Sequence, residues 1–104
     1  MFKVMILLTR REDMTQEQFA NWWLTEHAPL ARQLPGVQRI TFNLVDQGPD
    51  AVCSGIAELW FPSREAFEGA YATEIGKQVA ADSMAHVSGR VRVPVEEHGI
   101  LGSS

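Results

Sequence analysis

The first predicted strand is apolar on both of its faces, and this feature limits what the chain can fold into. The run from residue 2 to residue 9 places Phe2, Val4, Ile6 and Leu8 on one face and Met5 and Leu7 on the other. The third predicted strand, residues 52–61, repeats the pattern, with Ile56 and Trp60 on one face and Ala57, Leu59 and Phe61 on the other. Strands of this kind are buried on both sides in the folded protein.

The order of the predicted elements gives the fold class. A strand over residues 2–9 is followed by a helix from Thr15, strands over 37–45 and 52–61, a helix from Ser63, a short helix from Thr73 and a last strand over 87–96. This βαββαβ order predicts an α+β, ferredoxin-like fold, with a four-stranded, mostly antiparallel sheet and helices on one face. We expect one domain spanning residues 1–104.

Helices on one face leave the other face of the sheet uncovered. That face would be a large exposed apolar patch, which monomers rarely keep. Packing two such sheets against each other buries both patches and gives a symmetric homodimer. The sequence therefore predicts a homodimer formed through the sheet face.

Composition and net charge argue against several classes of binding partner. The net charge is −4, and Arg10–Arg11 is the only adjacent basic pair, which argues against nucleic acid and against an anionic membrane surface. No apolar run is long enough to span a membrane. The single cysteine, Cys53, cannot form an intramolecular disulfide, which favours a cytoplasmic protein. Asp82 and His86 are spaced to lie on one helical face, but no third ligand is visible near them and His98 is distant, so we expect no metal. We also expect no cofactor.

The first helix carries a start signal and an interruption. Thr15 and Gln18 have the spacing of a capping box at its beginning. Pro29 lies inside the apolar stripe that runs on to Leu34, and proline removes an amide donor and collides with the preceding turn. We expect a bend or break around residues 27–29.

The same helix carries a motif that resembles the EthD family. The matching residues are Met14-Thr15-x-Glu17-x-Phe19-x-x-Trp22-Trp23-x-x-Glu26-His27-Ala28-Pro29-Leu30-Ala31 and then Leu34-Pro35-Gly36-Val37. The resemblance covers roughly the first 45 residues and implies a dimeric α+β barrel with a ligand cleft between helices and sheet. The family takes its name from ethyl tert-butyl ether degradation. Proteins of similar fold include isomerases, polyketide cyclases and cofactor-free monooxygenases, and a shared fold transfers none of these reactions.

His27 is the candidate general acid–base. It lies on the inner face of the helix, just before Pro29, and an imidazole titrates near neutral pH. The alternative is a structural histidine whose ring bonds a carbonyl of the broken helix.

Six other residues are candidates for binding an apolar or aromatic ligand. They are Trp23, Leu30, Asn43, Glu58, Trp60 and Tyr71. Three of them also have a simpler interpretation. Trp23 and Tyr71 can be packing residues, and Glu58 can form an ordinary salt bridge, for example with Arg90 or Arg92. The neighbouring Trp22 is expected to be partly exposed or to contact a partner subunit.

Three functions remain open at this point. The first is a cofactor-free isomerase, cyclase or dehydratase that uses His27, acting in ether or aromatic catabolism. The second is a ligand-binding pathway partner without catalysis, which needs only the apolar wall. The third is a cofactor-free monooxygenase whose pocket confines an electron-rich substrate.

Overall fold

The computed structural model describes residues 1–102. The elements in chain order are β1 (Phe2–Arg10), α1 (Gln16–Trp22), a π-helical segment (Trp23–His27), α2 (Ala28–Ala31), β2 (Arg39–Leu44), β3 (Gly55–Phe61), α3 (Arg64–Ala72), α4 (Glu74–His86) and β4 (Val87–Val95). Within the described residues, no helix is both long enough and apolar enough to cross a membrane.

The four strands form one antiparallel sheet in the order β2-β3-β1-β4. This is the ferredoxin-like α+β arrangement, so the predicted fold class is confirmed. β2 and β3 pair as the expected hairpin. β4 is an edge strand, and its Pro94 is tolerated there because one side of the strand has no ladder to complete.

Two boundaries differ from the sequence prediction. β2 and β3 are shorter than predicted, because residues 45–54 form the connection between them, with a turn closed by the Ala51 amide donating to the Gly48 carbonyl at 3.1 Å. The last helix is longer than predicted. Thr73 caps its start as expected, but it continues for 13 residues to His86.

The core lies between the helices and one face of the sheet. β1 and β3 supply its floor with the buried side chains Val4, Ile6, Leu8, Ala57, Leu59 and Phe61. α1 and the π-helical segment cover it with Phe19, Trp22 and Trp23. Trp22 is only 3% exposed, so the expectation of a partly exposed Trp22 is wrong. Its indole lies against α4, a contact between distant parts of the chain that no local sequence pattern predicts.

The other face of the sheet has no helix over it. Met5, Leu7 and Ile56 are half-buried there, and Val91 is 57% exposed. The same face carries a polar group at one end, where the Nζ of Lys3 lies 2.9 Å from the Glu58 carboxylate. The expected pairing of Glu58 with Arg90 or Arg92 is wrong, because register places both arginines on the helix side of the sheet.

Candidate functional site

The π-helical segment sets the orientation of His27. The Thr15–Gln18 capping box fixes the start of α1, with reciprocal hydrogen bonds of 3.1 and 2.8 Å. Seven residues later the helix widens, and the Ala28 amide donates to the Trp23 carbonyl, five residues back. Pro29 then begins the next turn, where its missing amide is harmless. Such single-turn widenings are frequent at functional sites.

His27 is buried, with 5% exposure, and both of its ring nitrogens have partners on α4. Nδ1 lies 2.8 Å from Oδ2 of Asp82, and Nε2 lies 3.3 Å from the Ser83 hydroxyl. A carboxylate accepts and cannot donate, so Nδ1 carries the proton. Nε2 is therefore unprotonated, and its lone pair accepts a long hydrogen bond from the Ser83 hydroxyl. This is the tautomer that a general base needs.

The charge state of His27 is set by two opposing effects. Burial lowers its pKa below the ordinary 6.5, and the hydrogen bond from Nδ1 to Asp82 offsets this only in part. The positive charge of Arg90 lowers it further. The ring is therefore neutral at neutral pH and can accept a proton.

Asp82 is held in place by more than the imidazole. The Trp22 indole donates to the same Oδ2 at 3.2 Å. The Nδ1 of His86 donates to the Asp82 backbone carbonyl at 2.8 Å, and the His86 ring stacks on Trp22 with centroids 4.5 Å apart. These contacts leave the carboxylate few alternative orientations, which in turn fixes the His27 ring.

A small cavity lies beside the His27 ring, between the helices and the sheet. Its volume is about 20 Å³, enough for about one water molecule. The wall is formed by Ile6, Leu8, Trp23, His27, Ala31, Phe42, Ala57, Leu59, Tyr71, Val79, Ser83 and Arg90. It is mostly apolar, with polar groups concentrated around the imidazole, as is typical of small-molecule sites.

Trp23, one of the lining residues, carries a buried polar atom without a partner. Its ring is fully buried and stacks on Phe42, with centroids 4.3 Å apart. Among the described residues, its indole N–H has no hydrogen-bond partner. A buried donor without an acceptor is costly, and a bound water or ligand oxygen would remove the cost.

A much larger groove lies on the protein surface, on the other side of Trp22. It is lined by side chains of the connection between β1 and α1, of α1 and of the end of α4, with Arg11, Glu17 and His86 among them. The groove is open to solvent and mostly polar, and it does not reach the His27 ring. We place the candidate site in the small cavity, because the buried, neutral ring of His27 lies there beside apolar side chains.

The structure brings together only part of the residue set predicted from sequence. His27, Trp23 and Tyr71 line one cavity. Leu30 packs against the core nearby without lining it. Asn43, Glu58 and Trp60 lie on the uncovered face of the sheet, because strand alternation turns them away from the helices.

Three residues of the site were missed in the sequence. Asp82 was considered only as a metal ligand, while Ser83 and Arg90 were not considered as neighbours of His27. Two features of the sequence could have indicated them. Asp82 is an acidic residue within the helix whose inner face carries Val79, and Arg90 is an arginine on the inner face of an edge strand. Within residues 1–102, no group of three or more His, Cys, Asp or Glu side chains is arranged to hold a metal ion.

Comparison with known proteins places the chain in a family. The model of the EthD domain matches residues 11–89. An ethyl tert-butyl ether degradation (EthD) family protein from Bacillus halodurans superposes with a TM-score of 0.81 at 22% identity, covering 94% of this chain and 100% of that one. No curated protein matches the chain.

Two further solved structures share the fold. SnoaB from Streptomyces nogalater, described as a cofactor-independent oxygenase, has a TM-score of 0.70 at 17% identity, covering 98% of this chain and 97% of that one. A dimeric ferredoxin-like protein of unknown function from Thermobifida fusca has a TM-score of 0.68 at 17% identity, covering 90% and 88%. Since the EthD model matches more than half of its residues, the chain belongs to the EthD family.

Proposed function

We propose that this protein binds a small apolar or aromatic molecule in the cavity beside His27, and that His27 moves a proton on it without a cofactor. The observation that carries the proposal is the pairing of Nδ1 with Asp82 at 2.8 Å, which leaves Nε2 as an unprotonated base at the cavity wall. Trp23 and Phe42 supply stacking surfaces for an aromatic ring.

The proton-transfer step requires only groups that are present. Nε2 of His27 takes a proton from an acidic C–H or O–H of the ligand, and the resulting imidazolium is stabilised by Asp82. The same nitrogen returns the proton to another ligand atom, which completes an isomerisation. Return to a leaving hydroxyl gives a dehydration, and closure of the ring before return gives a cyclisation.

The ligand has to widen the cavity, because about 20 Å³ does not hold a ring. Phe42 and Tyr71 are half-buried members of the wall. Rotation of exposed or half-exposed side chains occurs in picoseconds to nanoseconds. We place the ligand entrance at these two residues.

The assembly is proposed to be a homodimer through the uncovered sheet face. The apolar side chains Met5, Leu7 and Ile56 need a cover, and a dimeric ferredoxin-like protein is among the structural neighbours. We place the protein in the cytoplasm, because Cys53 is a free thiol. We place it in ether or aromatic catabolism, because the EthD family name comes from ether degradation.

Two alternatives remain testable. A non-catalytic ligand-binding protein would keep the cavity and make no use of the His27 lone pair. A cofactor-free monooxygenase has a precedent in the fold, since the neighbour SnoaB is described as a cofactor-independent oxygenase. Oxygen consumption with an electron-rich phenol distinguishes the monooxygenase from an acid–base enzyme, which consumes none.

The test uses beta-tetralone, an apolar aromatic ketone with exchangeable protons next to its carbonyl. In heavy water, the wild-type protein is expected to bind it and to catalyse deuterium uptake at that carbon. His27→Ala should still bind and lose at least about 100-fold in exchange rate, the size of a typical general-base contribution. Ala57→Val should lose binding, because two added carbons fill a cavity of about 20 Å³.

His98→Ala is the matched control, because this histidine is exposed and near the end of the described chain. It should exchange at the wild-type rate. Exchange by His27→Ala as fast as by wild type would refute the catalytic part and leave the ligand-binding alternative. Absence of any tetralone binding by the wild-type protein would refute the proposal as a whole.

A further inference from the structure

Arg90 is a half-buried cation whose charge is not balanced inside the protein. It lies on β4, on the helix side of the sheet, and lines the cavity beside His27. None of the ion pairs formed within residues 1–102 includes Arg90. Burial lowers its pKa, and the positive charge of Arg92 acts in the same direction. A desolvated guanidinium is stabilised by an anionic partner.

The other polar groups of the cavity are also donors. The Tyr71 hydroxyl is at the wall, and burial raises its pKa, so it stays protonated and able to donate. Trp23 also lines the cavity, and its buried indole N–H lacks an acceptor among the described residues. The unprotonated Nε2 of His27 is the proton acceptor among these hydrogen-bond donors. The cavity therefore offers one proton acceptor and several groups that bind negatively charged oxygen.

We infer that Arg90 binds the oxygen on which negative charge develops, so that the substrate is an aromatic phenol or an enolisable aromatic ketone. This inference rests on the proposed function and names its substrate class. When Nε2 of His27 removes the acidic proton, a phenol keeps the electron pair on its oxygen, and a ketone delocalises the pair from carbon onto the carbonyl oxygen. Arg90 and Tyr71 then hold that oxyanion by charge-assisted hydrogen bonds.

Arg92 shows what a purely structural arginine looks like on the same strand face. Its guanidinium carbon lies 4.4 Å from the Tyr71 ring centroid and 5.4 Å from that of Phe67, and the residue is exposed. Arg90 is 6.0 Å from the Tyr71 centroid, more buried, and part of the cavity wall. Stacking on aromatic rings accounts for the position of Arg92. Arg90 interacts with the side chain of Tyr71 at the cavity wall, and the protonated Tyr71 is not an anion that would balance its charge.

The experiment compares para-nitrophenol with para-nitrotoluene, which have nearly the same size and differ in whether they can ionise. Binding of each is measured by calorimetry, and the phenolate absorption band reports its ionisation state in the complex. The wild-type protein is expected to bind para-nitrophenol as phenolate, at least about tenfold more tightly than para-nitrotoluene, since a charged hydrogen bond is worth that factor or more.

Three variants identify the source of the preference. Arg90→Gln should reduce it to within about twofold, Arg90→Lys should keep part of it because the charge remains, and Arg92→Gln should leave it unchanged. Equal binding of the two probes by the wild type overturns the role of Arg90 and leaves the proposed binding function standing. An equal loss in Arg90→Gln and Arg92→Gln overturns it too. If neither probe binds, the proposed function fails together with this inference.

Discussion

Oδ2 of Asp82 lies 2.8 Å from Nδ1 of His27, although the two residues are 55 positions apart in the chain. The contact joins the π-helical segment after α1 to the middle of α4. It fixes the tautomer of a buried imidazole and provides a negative charge beside the imidazolium that proton transfer would create. The geometry thus links the local irregularity of one helix to the chemistry that we propose for the cavity.

Removal of this carboxylate is expected to destabilise the protein. Asp82→Ala leaves the Nδ1–H of His27 and the indole N–H of Trp22 without their acceptor, in a largely buried setting. The expected loss in unfolding free energy is about 1–3 kcal/mol, measured by urea denaturation. Asp50→Ala, at an exposed turn, is the control and should change it by less than about 0.5 kcal/mol. An equal effect of the two changes would show that the Asp82 contact is energetically unimportant.

Stability should fall as the solution is acidified below about pH 6.5. Burial lowers the pKa of His27 in the folded state, so between that value and 6.5 the unfolded chain binds a proton that the native state does not. The free energy of unfolding therefore falls as the pH drops from 6.5 to the folded-state pKa of His27, by no more than about 1.4 kcal/mol per pH unit.

His27→Gln removes that dependence, and a comparison of urea midpoints at about pH 7.5 and pH 5.5 measures it. The lowered pKa values of Glu58 and Glu97 act below their ordinary 4.5 and stay outside the comparison. His98→Gln should behave like wild type. A wild-type protein whose stability changes no more than that of His27→Gln would show that His27 titrates alike in both states.

Two helical glycines should respond in opposite directions to the same substitution. A Cβ on Gly76 would lie 2.5 Å from the Cα of Tyr71, and it would also clash with the carbonyl oxygen of Ala70. Both are backbone atoms, which cannot move away as a flexible side chain could. Gly76→Ala is expected to cost about 1–3 kcal/mol. A Cβ on Gly69 meets nothing within 4 Å, so Gly69→Ala should stabilise by about 0.5–1 kcal/mol. Thermal unfolding of both variants checks the close approach of α3 and α4.

The proposed dimer predicts that one sheet-face residue controls assembly. Val91 on the uncovered face and Met84 on the helix side are similarly exposed, at 57% and 62%. Val91→Lys would place a charge inside the sheet-to-sheet interface and should give a monomer in analytical ultracentrifugation at micromolar concentration. Met84→Lys should leave the dimer intact. A wild-type protein that is already monomeric would rule out the proposed assembly.

The sequence predicts the fold better than it predicts the site, for a physical reason. The apolar runs of β1 and β3 and the capping residues Thr15 and Thr73 are local signals, and they specify the element order. The site depends on which helix face meets which strand face. Thus the polar Glu58 within an apolar strand predicts a cavity residue, although register turns it toward Lys3.

The break at His27 could be predicted from the sequence, because its signal is local. Pro29 is a local disturbance, and the structure shows the predicted interruption as a π-helical segment ending at His27. Asp82 was not accessible, because no short-range spacing relates it to His27. Only the packing of α4 against the first helix brings them together.

Nitrogen NMR of the His27 imidazole at neutral pH, with and without para-nitrophenol, measures the protonation and the ligand contact of the proposed base together. His27→Gln assigns the resonances. We expect a neutral ring with the proton on Nδ1, bonded to Asp82, and a large shift of the Nε2 resonance when the ligand binds. A ring protonated on Nε2 in the ligand-free protein, or an Nε2 resonance that is unchanged by a ligand shown to bind, would mean that His27 is not the base of this site.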